Sequence, residues 1–387
     1  MTIVATAFDR LLGRTPKAVG AVAEDRIAVA TQRQLIWWRF KKHKLAVVSL
    51  FIVALFYLVA VFADFLAYTD PEASDSRRGY IPPQTITWFD ADGAFRPHVH
   101  GLKGVRDMRT FKLVYKIDET RKVYIKFFAE GYPYHLLGFI PANRHLLSFD
   151  TSVPENGLFL LGTDVQGRDV WSRLMVATRV SLSIGLAGVT ISLFLGILFG
   201  GVSGLYGGTV DTAIQRLIEL VRSIPTIPLW LGLAAALPNT WSSLQVYFAI
   251  TIIISLIGWT DLARVVRGRF LSLREEDFIV AAELMGASRM RVIFRHMLPS
   301  FTSHIIAAVS LALPAMIISE TSLSFLGLGL RPPAISWGIL LQDAQNIEAL
   351  ALAPWLLAAA VPVVAIILAF NFLGDGLRDA LDPWMKK

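Results

Sequence analysis

Residues 274–300 read REEDFIVAAELMGASRMRVIFRHMLPS, a polar, arginine-bearing stretch set between long apolar runs. Within it Phe278, Ala281, Ala282 and Met285 recur at helical spacing. Gly286 then ends that turn or bends it sharply. Met290, Ile293, Phe294 and Met297 form a second amphipathic segment, expected to stop at Pro299. The pattern predicts a compact knob of two short helices around a glycine bend. Ala281 and Ala282 give it a low profile against which a partner's groove can close. An interfacial helix lying on lipid headgroups has the same periodicity and also suits the arginines. Periodicity by itself leaves both readings open.

The flanks of this stretch identify its solvent. The chain has 387 residues, 54% hydrophobic and only 17% charged, where a soluble chain carries about 25% charged residues. Cysteine is absent, which excludes disulfides, thiolate metal sites and a cysteine nucleophile. The net charge of +7 is expected to mark inside loops, and no nucleic-acid partner is implied.

A helix needs roughly 20 apolar residues to cross the hydrocarbon layer. Six runs qualify, over 45–67, 180–206, 214–237, 244–262, 305–328 and 351–372. The first follows a polar leader and Arg39, Lys41, Lys42 and Lys44, so it reads as a retained span, not a cleaved signal. The second carries Gly196, Gly200 and Gly204 at four-residue spacing, which lets two helices approach closely. Pro225 and Pro228 predict a kink in the third. Starting inside, the loop over 263–304 falls inside with Arg264, Arg267, Arg269, Arg274, Arg289, Arg291 and Arg295. The C-terminus, with Lys386 and Lys387, also falls inside, which agrees with the positive-inside rule.

This organisation divides the chain into a leader (1–44), a first transmembrane helix (45–68), an external insert (69–160), a transmembrane core (161–375) and a tail (376–387). The insert is too long for an unstructured loop. Phe111, Leu113, Tyr115 and Ile117 alternate with other residues, Asp118-Glu119-Thr120 follows, and Val123, Ile125 and Phe127 resume the alternation. That reads as a β-hairpin turning at 118–120, with irregular connections over 80–83 and 132–141. His98, His100, His135 and His145 fit no tight ligand spacing and have few carboxylates near them, so they are expected to be scattered surface histidines.

With these residues in view, 274–300 resembles the EAA loop of ABC importer permeases: Glu-Ala-Ala, three residues, Gly, nine residues, then Ile-x-Leu-Pro. The matching positions are Val280-Ala281-Ala282, Gly286 and His296-Met297-Leu298-Pro299. Val280 stands where the pattern has glutamate and His296 where it has isoleucine, so the resemblance rests on geometry and register. Leu161-Gly162-Thr163-Asp164, Gly167-Arg168-Asp169-Val170, Asp211, Arg216, Glu219 and Pro225 are similar to the peptide/opine/nickel branch, the dipeptide and oligopeptide C-type permeases. So are the 323–329 run LSFLGLG, Pro332-Pro333, Ser336-Trp337-Gly338, Asn371, Gly374-Asp375 and Leu381-Asp382-Pro383. The likeness covers the first span and 158–387 and says little about the insert.

The resemblance implies an all-α polytopic membrane protein of about six transmembrane helices, of the ABC type I importer kind, with a small strand-containing external insert. It implies a permease in a bacterial inner membrane, N- and C-termini cytoplasmic. Its implied partners are ABC ATPase subunits, a second homologous permease, a periplasmic substrate-binding protein and membrane lipid. Coupling to the ATPase would run through Val280, Ala281, Ala282, Gly286, Leu298 and Pro299. Peptides are the implied solute, and the enlarged insert leaves an oligosaccharide, opine or nickel open. No Gly-rich phosphate loop followed by Lys-Ser or Lys-Thr occurs, so hydrolysis is expected on partner subunits and no cofactor is expected here.

Charged residues at membrane depth are candidates for pathway or gate roles. Glu219 and Arg222 are expected to pair along one helix face, and Asp261 with Arg264 likewise. Glu320 is the candidate gate or pathway contact, with a hydrogen bond to the Gly327–Gly329 turn as its structural alternative. Ser192, Thr251 and Ser255 are expected to bridge helices. Asp164, Arg168 and Asp169 read best as a charge-fixed elbow at the entry to the second span. An ion-driven transporter would instead place ionisable groups at the midplane of two inverted halves. A membrane enzyme would need a His, Ser/Lys or metal constellation. Neither pattern is present.

Overall fold

The computed structural model describes residues 31–106, 108, 113–150 and 156–381. The start of the leader, Phe111, Lys112, Asp382-Pro383, Lys386 and Lys387 lie outside the described residues. Helix α1 (Gln32–Lys42) opens on a capping box in which Thr31 and Gln34 each accept from the other's backbone N–H. It breaks at His43 and continues as α2 (Lys44–Val61) and the short α3 (Ala63–Leu66). Leu45, Phe51, Leu55 and Leu58 of α2 stand exposed, as befits a helix whose solvent is lipid.

The insert is a four-stranded antiparallel meander in the order β1 (Thr87–Phe89), β2 (Phe95–Arg106), β3 (Leu113–Leu136), β4 (Ile140–Phe149). The expected turn at Asp118-Glu119-Thr120 is not a hairpin. β3 runs straight through it, and the register steps from His100 opposite Lys122 to Gly101 opposite Asp118. Asp118 Oδ1 accepts from the Thr120 N–H at 3.1 Å and from its hydroxyl at 2.5 Å. The local turn chemistry is thus present, but the long partner strand absorbs it as a bulge. β3 turns back into β4 at 137–139, inside the segment expected to be irregular. Two histidines also differ from expectation, because His98 and His145 are buried. His98 Nδ1 lies 2.8 Å from the Arg96 carbonyl. The His145 nitrogens lie 3.0 Å from the Asp64 carbonyl and 2.9 Å from that of Tyr132.

Among the described residues the insert shares its core with the membrane helices. Val99, Val123, Ile125 and Leu158 pack with Tyr68, just beyond α3, and with Trp171. Trp171 lies in the first turn of α4 (Val170–Tyr206), a 37-residue helix about 55 Å long. α4 starts ten residues before the apolar run because its early charges are neutralised. Arg179 pairs with Asp64 and Arg173 lies near Asp164 and Asp343.

The third run is broken, not merely kinked. α5 (Gly208–Ser223) and α6 (Thr226–Ala235) are bent by 83°. Ile224, before Pro225, is held extended, while Pro228 sits in the first turn of α6, where no intrahelical N–H is needed. α7 (Ser243–Leu273) follows, then α8 (Asp277–Leu284) and a helical run over 289–300. α9 (Thr302–Phe325) comes next, then α10 (Trp337–Asp343), α11 (Ile347–Leu352) and α12 (Ala360–Leu381), the last entered through a 3-10 turn at Pro354–Ala359. Among the described residues five helices are long and apolar enough to cross a membrane, and the bent α5–α6 pair passes the same test as one unit.

The pairing of α4 with α7 organises the bundle, and the glycine spacing is its cause. A Cβ on Gly196 would stand 2.7 Å from the Leu262 Cβ, one on Gly200 2.4 Å from the Ala263 carbonyl oxygen, and one on Gly204 2.6 Å from the Phe270 Cβ. Such contact leaves no room for a side chain. The hydroxyls add cross-helix bonds. Ser192 donates to the Ser255 carbonyl at 3.3 Å and Ser255 to the Gly188 carbonyl at 3.1 Å. Thr251 does not bridge helices, because its hydroxyl returns to the Tyr247 carbonyl of its own helix at 2.8 Å.

Candidate functional site at the 274–300 segment

This segment sits at the Tyr206 end of α4, the full length of that helix away from the insert. α8 ends in a Schellman motif. Gly286 takes φ +77°, its N–H donates to the Glu283 carbonyl at 2.9 Å, and the Ala287 N–H donates to the Ala282 carbonyl at 3.0 Å. The next helical run opens on Ser288, whose Oγ accepts from the Arg291 N–H at 3.4 Å. It widens into a π-helical turn over Val292–Met297 and then passes through Pro299 to Ser300. The expectation that Pro299 stops this helix is therefore corrected. Pro299 has no N–H and its ring crowds the carbonyl four residues back, and the widened turn before it accommodates both.

Packing divides the segment into two faces. Ile279, Val292, Ile293 and Met297 are buried on Leu205, Phe270 and Phe301, so the knob is seated on the ends of α4 and α7. The Phe270 and Phe301 rings meet edge to face with centroids 5.6 Å apart. The outward face keeps Phe278, Val280, Met290 and Phe294 exposed, and Leu284 and Met285 are 83% and 86% exposed. Apolar side chains so uncovered beside arginines and glutamates are of the kind that marks a contact site.

The coupling candidates fall on different sides of this division. Val280, Ala281 and Pro299 are exposed, Gly286 is at the bend, and Leu298 is half-buried against the seat. Ala282 is buried at 5% exposure, so its small size serves the knob's own packing and does not present backbone to a partner. Leu284 and Met285 are the most exposed apolar positions of the segment, and the helical spacing of Phe278, Ala281, Ala282 and Met285 does not single them out.

The charged candidates also divide. Glu219 is exposed and pairs with Arg216 at 2.7 Å, not with Arg222. Arg222 reaches across to Asp261, which separates that carboxylate from its expected partner Arg264. Neither pair is enclosed. A stronger pair went unnoticed in the sequence, in which Arg267 of α7 donates both Nε and Nη2 to Asp211 of α5 at 2.5 Å each. A separation of 56 residues hides it, although the match of Arg and Asp at two helix ends is the signal. Glu320 is fully buried. Its carboxylate accepts from Ser181 at 3.1 Å and from Ser324 at 2.8 Å. Ser324 in turn accepts from the Leu330 N–H at 3.2 Å, so Glu320 holds the turn after α9 through a serine. Ser181 also accepts from the Trp337 N–H at 3.1 Å. This is a structural node joining α4, α9 and α10.

At the opposite end the elbow reading describes what is seen. Asp164 Oδ1 accepts from the Gln166 and Arg168 amides at 2.8 and 3.0 Å, and its Oδ2 accepts from Arg168 Nε at 2.6 Å. Asp169 caps α4 by accepting from the Ser172 N–H at 2.7 Å, and the Tyr68 hydroxyl donates to it at 2.8 Å. Burial pushes the Asp169 carboxyl up to about 6, against the pull of these hydrogen bonds.

A bundle of long apolar helices, clamped at one end and carrying an uncovered apolar knob at the other, defines a multi-span membrane protein built to meet a partner at its surface. The family described as binding-protein-dependent transport system inner membrane component matches residues 193–387, and the N-terminal transmembrane domain of oligopeptide transport permease C matches residues 31–83. The dipeptide transport system permease protein DppC of Lactococcus lactis subsp. cremoris is 33% identical over 348 residues, covering 90% of this chain and 89% of that protein. The oligopeptide transport system permease proteins OppC of Haemophilus influenzae and Escherichia coli are each 40% identical, over 59% and 57% of this chain and 71% of each relative. Among solved structures, the inward-facing MetNI methionine ABC transporter aligns at 18% identity with a TM-score of 0.42, over 54% of this chain and 96% of that chain. The chain belongs to the family of binding-protein-dependent transport system inner membrane components.

Proposed function

We propose that this chain is the permease subunit of an ATP-driven importer, forming the translocation pathway for oligopeptides or similar small solutes. The observation that carries the reading is the outward apolar face of the 274–300 knob, above all Leu284 and Met285. It is seated on the ends of α4 and α7, so a push on it is delivered to two packed helices. An ATPase subunit whose groove receives that face converts its own closure into helix movement, and so into alternating access. In this reading both termini and the knob are cytoplasmic and the insert is periplasmic. A substrate-binding protein delivers solute at the insert end. A second homologous permease, with lipid around both, covers the exposed apolar side chains of α5 and α6, such as Leu220 and Ile227. The peptide class follows the names of the relatives.

The test replaces Leu284 with Asp. The residue touches little of its own chain, so the variant is expected to insert and assemble with unchanged thermal midpoint. A charge in an apolar contact costs about 2 kcal/mol, so solute-stimulated ATP hydrolysis and uptake in vesicles should fall about 30-fold. Full uptake by this variant removes the knob from the coupling path.

A further inference from the structure

We propose that Phe128, where the insert meets the end of the first span, is seated in the lipid leaflet on the insert's side of the membrane and ties the insert to it. The surface it meets is the edge of the bilayer, with acyl chains below and headgroup phosphates above. The physical basis starts on α2. Its exposed side chains Leu45, Val48, Phe51, Leu55, Leu58 and Phe62 follow one another at steps of three and four residues. They therefore form one stripe along a single helix face, the face whose solvent is lipid.

The stripe does not stop where the helix stops. The Phe62 and Phe65 rings meet edge to face with centroids 6.5 Å apart, and the Phe65 ring lies 6.0 Å from that of Phe128 on β3. Three rings in sequence thus carry the apolar face from the span onto the sheet. Depth follows from helix length. The hydrocarbon layer takes roughly 20 helical residues, and counted from Leu45, after the basic cluster Arg39, Lys41, Lys42 and Lys44, it ends near Asp64. The ion pair of Asp64 with Arg179 suits that boundary. Phe65, and Phe128 against it, stand at the same level.

β3 buries Val123 and Ile125 in the insert's core but leaves the next two apolar side chains uncovered. Phe127 is 46% exposed and Phe128 61%, although a strand sends successive side chains to opposite faces. Phe128 also has φ +53°, a left-handed backbone that bulky residues rarely adopt. Contact with the Phe65 ring alone does not account for an aromatic side chain held outward in that conformation, whereas a seat in lipid does. Lys126 is exposed beside the two rings. A lysine next to phenylalanines suits the bilayer edge, with the ammonium among phosphates and the rings among acyl chains. A second protein would also cover these rings, but the face they prolong is the one that meets lipid along the whole of α2.

The absence of cysteine gives each single-cysteine variant one thiol in this chain. Phe128→Cys is labelled with a nitroxide, and the assembled complex is placed in vesicles of phosphatidylethanolamine and phosphatidylglycerol. Collisions of the label with dissolved oxygen, which concentrates in hydrocarbon, are compared with collisions with a nickel chelate, which stays in water. Phe62→Cys serves as the lipid reference, and Asp92→Cys, in the exposed turn between β1 and β2, as the water reference. The oxygen-to-nickel ratio at 128 should lie within about twofold of that at 62 and roughly fivefold above that at 92, as for a group inside the headgroup boundary. A ratio closer to that at 92 overturns the seat. Suppression of both collisions at 128 also overturns it, and marks a protein neighbour such as a second permease. Where Phe128→Cys does not assemble, Phe127→Cys carries the same expectation and the same two refuting outcomes.

Discussion

The two ends of the bundle solve opposite problems. At the insert end, polar groups are buried and answered by one another: Asp164 by Arg168, Asp169 by Tyr68 and Ser172, Glu320 by Ser181 and Ser324. At the knob end most charges lie outside, the partly buried Arg267–Asp211 pair excepted, and apolar side chains such as Leu284 and Met285 are left uncovered. Buried polar groups that satisfy each other fix one geometry, since any shift leaves several unpaired at once. Uncovered apolar groups fix nothing until another surface meets them. The first end is answered largely within this chain, with Arg173 Nε and Asp343 Oδ2 as exceptions, and under the proposed function the second is completed by a partner. A lever needs this asymmetry, with a stiff frame at one end and a handle at the other.

The link between the ends is the α4–α7 contact, and breaking it should have the largest effect. Gly200→Leu places a side chain where even a Cβ would stand 2.4 Å from the Ala263 carbonyl oxygen. Backbone cannot yield as a side-chain tip can, so the helices must part, at a cost of about 3 kcal/mol or more. Thermal unfolding in detergent should show a sharply lowered midpoint, and assembly with partner subunits should fail. A variant of normal stability would mean that the two ends are not joined through this seam.

The insert end can be weakened by pH. The folded-state value of Asp169 is about 6, against an ordinary 3.8, with burial as the main cause. The native state therefore holds this proton to higher pH than the unfolded chain does. Between about pH 4 and pH 6 the unfolded state loses its proton first, so stability falls as pH rises, by roughly 2–3 kcal/mol in all. Above about 6 and below about 4 this group contributes no slope. Thermal midpoints measured across that window should fall with rising pH in the native protein. They should flatten in Asp169→Asn, which keeps an oxygen for the Ser172 N–H. A slope unchanged in the variant assigns the effect to other groups.

How much of this was legible in the sequence follows the range of each signal. The spans and the glycine seam were legible, because lipid demands about 20 apolar residues and close packing demands small ones at fixed spacing. The knob's helix–glycine–helix plan was legible for the same local reason. The helices run on past the apolar runs where a charge is neutralised by a distant residue, as with Arg179 by Asp64 and Arg267 by Asp211. In the insert, the Asp118–Thr120 turn chemistry is real but is overridden by a long antiparallel partner. At the candidate site, Ala281 and Ala282 are adjacent and alike in sequence, yet one faces out and the other in. Only the seat formed by Phe270, Phe301 and Leu205 decides that.

A smaller change tests the handle alone. Gly286 has open space around its missing Cβ but a φ of +77°. Gly286→Ala should thus cost only the left-handed backbone penalty, about 1 kcal/mol. The midpoint should drop by a few degrees, while coupling of ATP hydrolysis to uptake should weaken more than stability does. Equal losses in both would make the bend a structural corner and no more.

The smallest effect is expected at the exposed pair on α5. Arg216 and Glu219 stand 2.7 Å apart with side chains 77% and 52% exposed. Surface pairs at this spacing contribute under about 0.5 kcal/mol. Arg216→Ala should leave the midpoint of the isolated subunit within about 2 °C of the parent. That near-silence makes the variant useful, because α5 buries only Ile218 in this chain. If α5 faces a second permease, the same substitution should lower the yield of the assembled complex while leaving the isolated subunit untouched. If complex and subunit are both indifferent to it, this face of α5 meets lipid or water, and the handle at 274–300 is left as the one protein-completed surface argued from this chain.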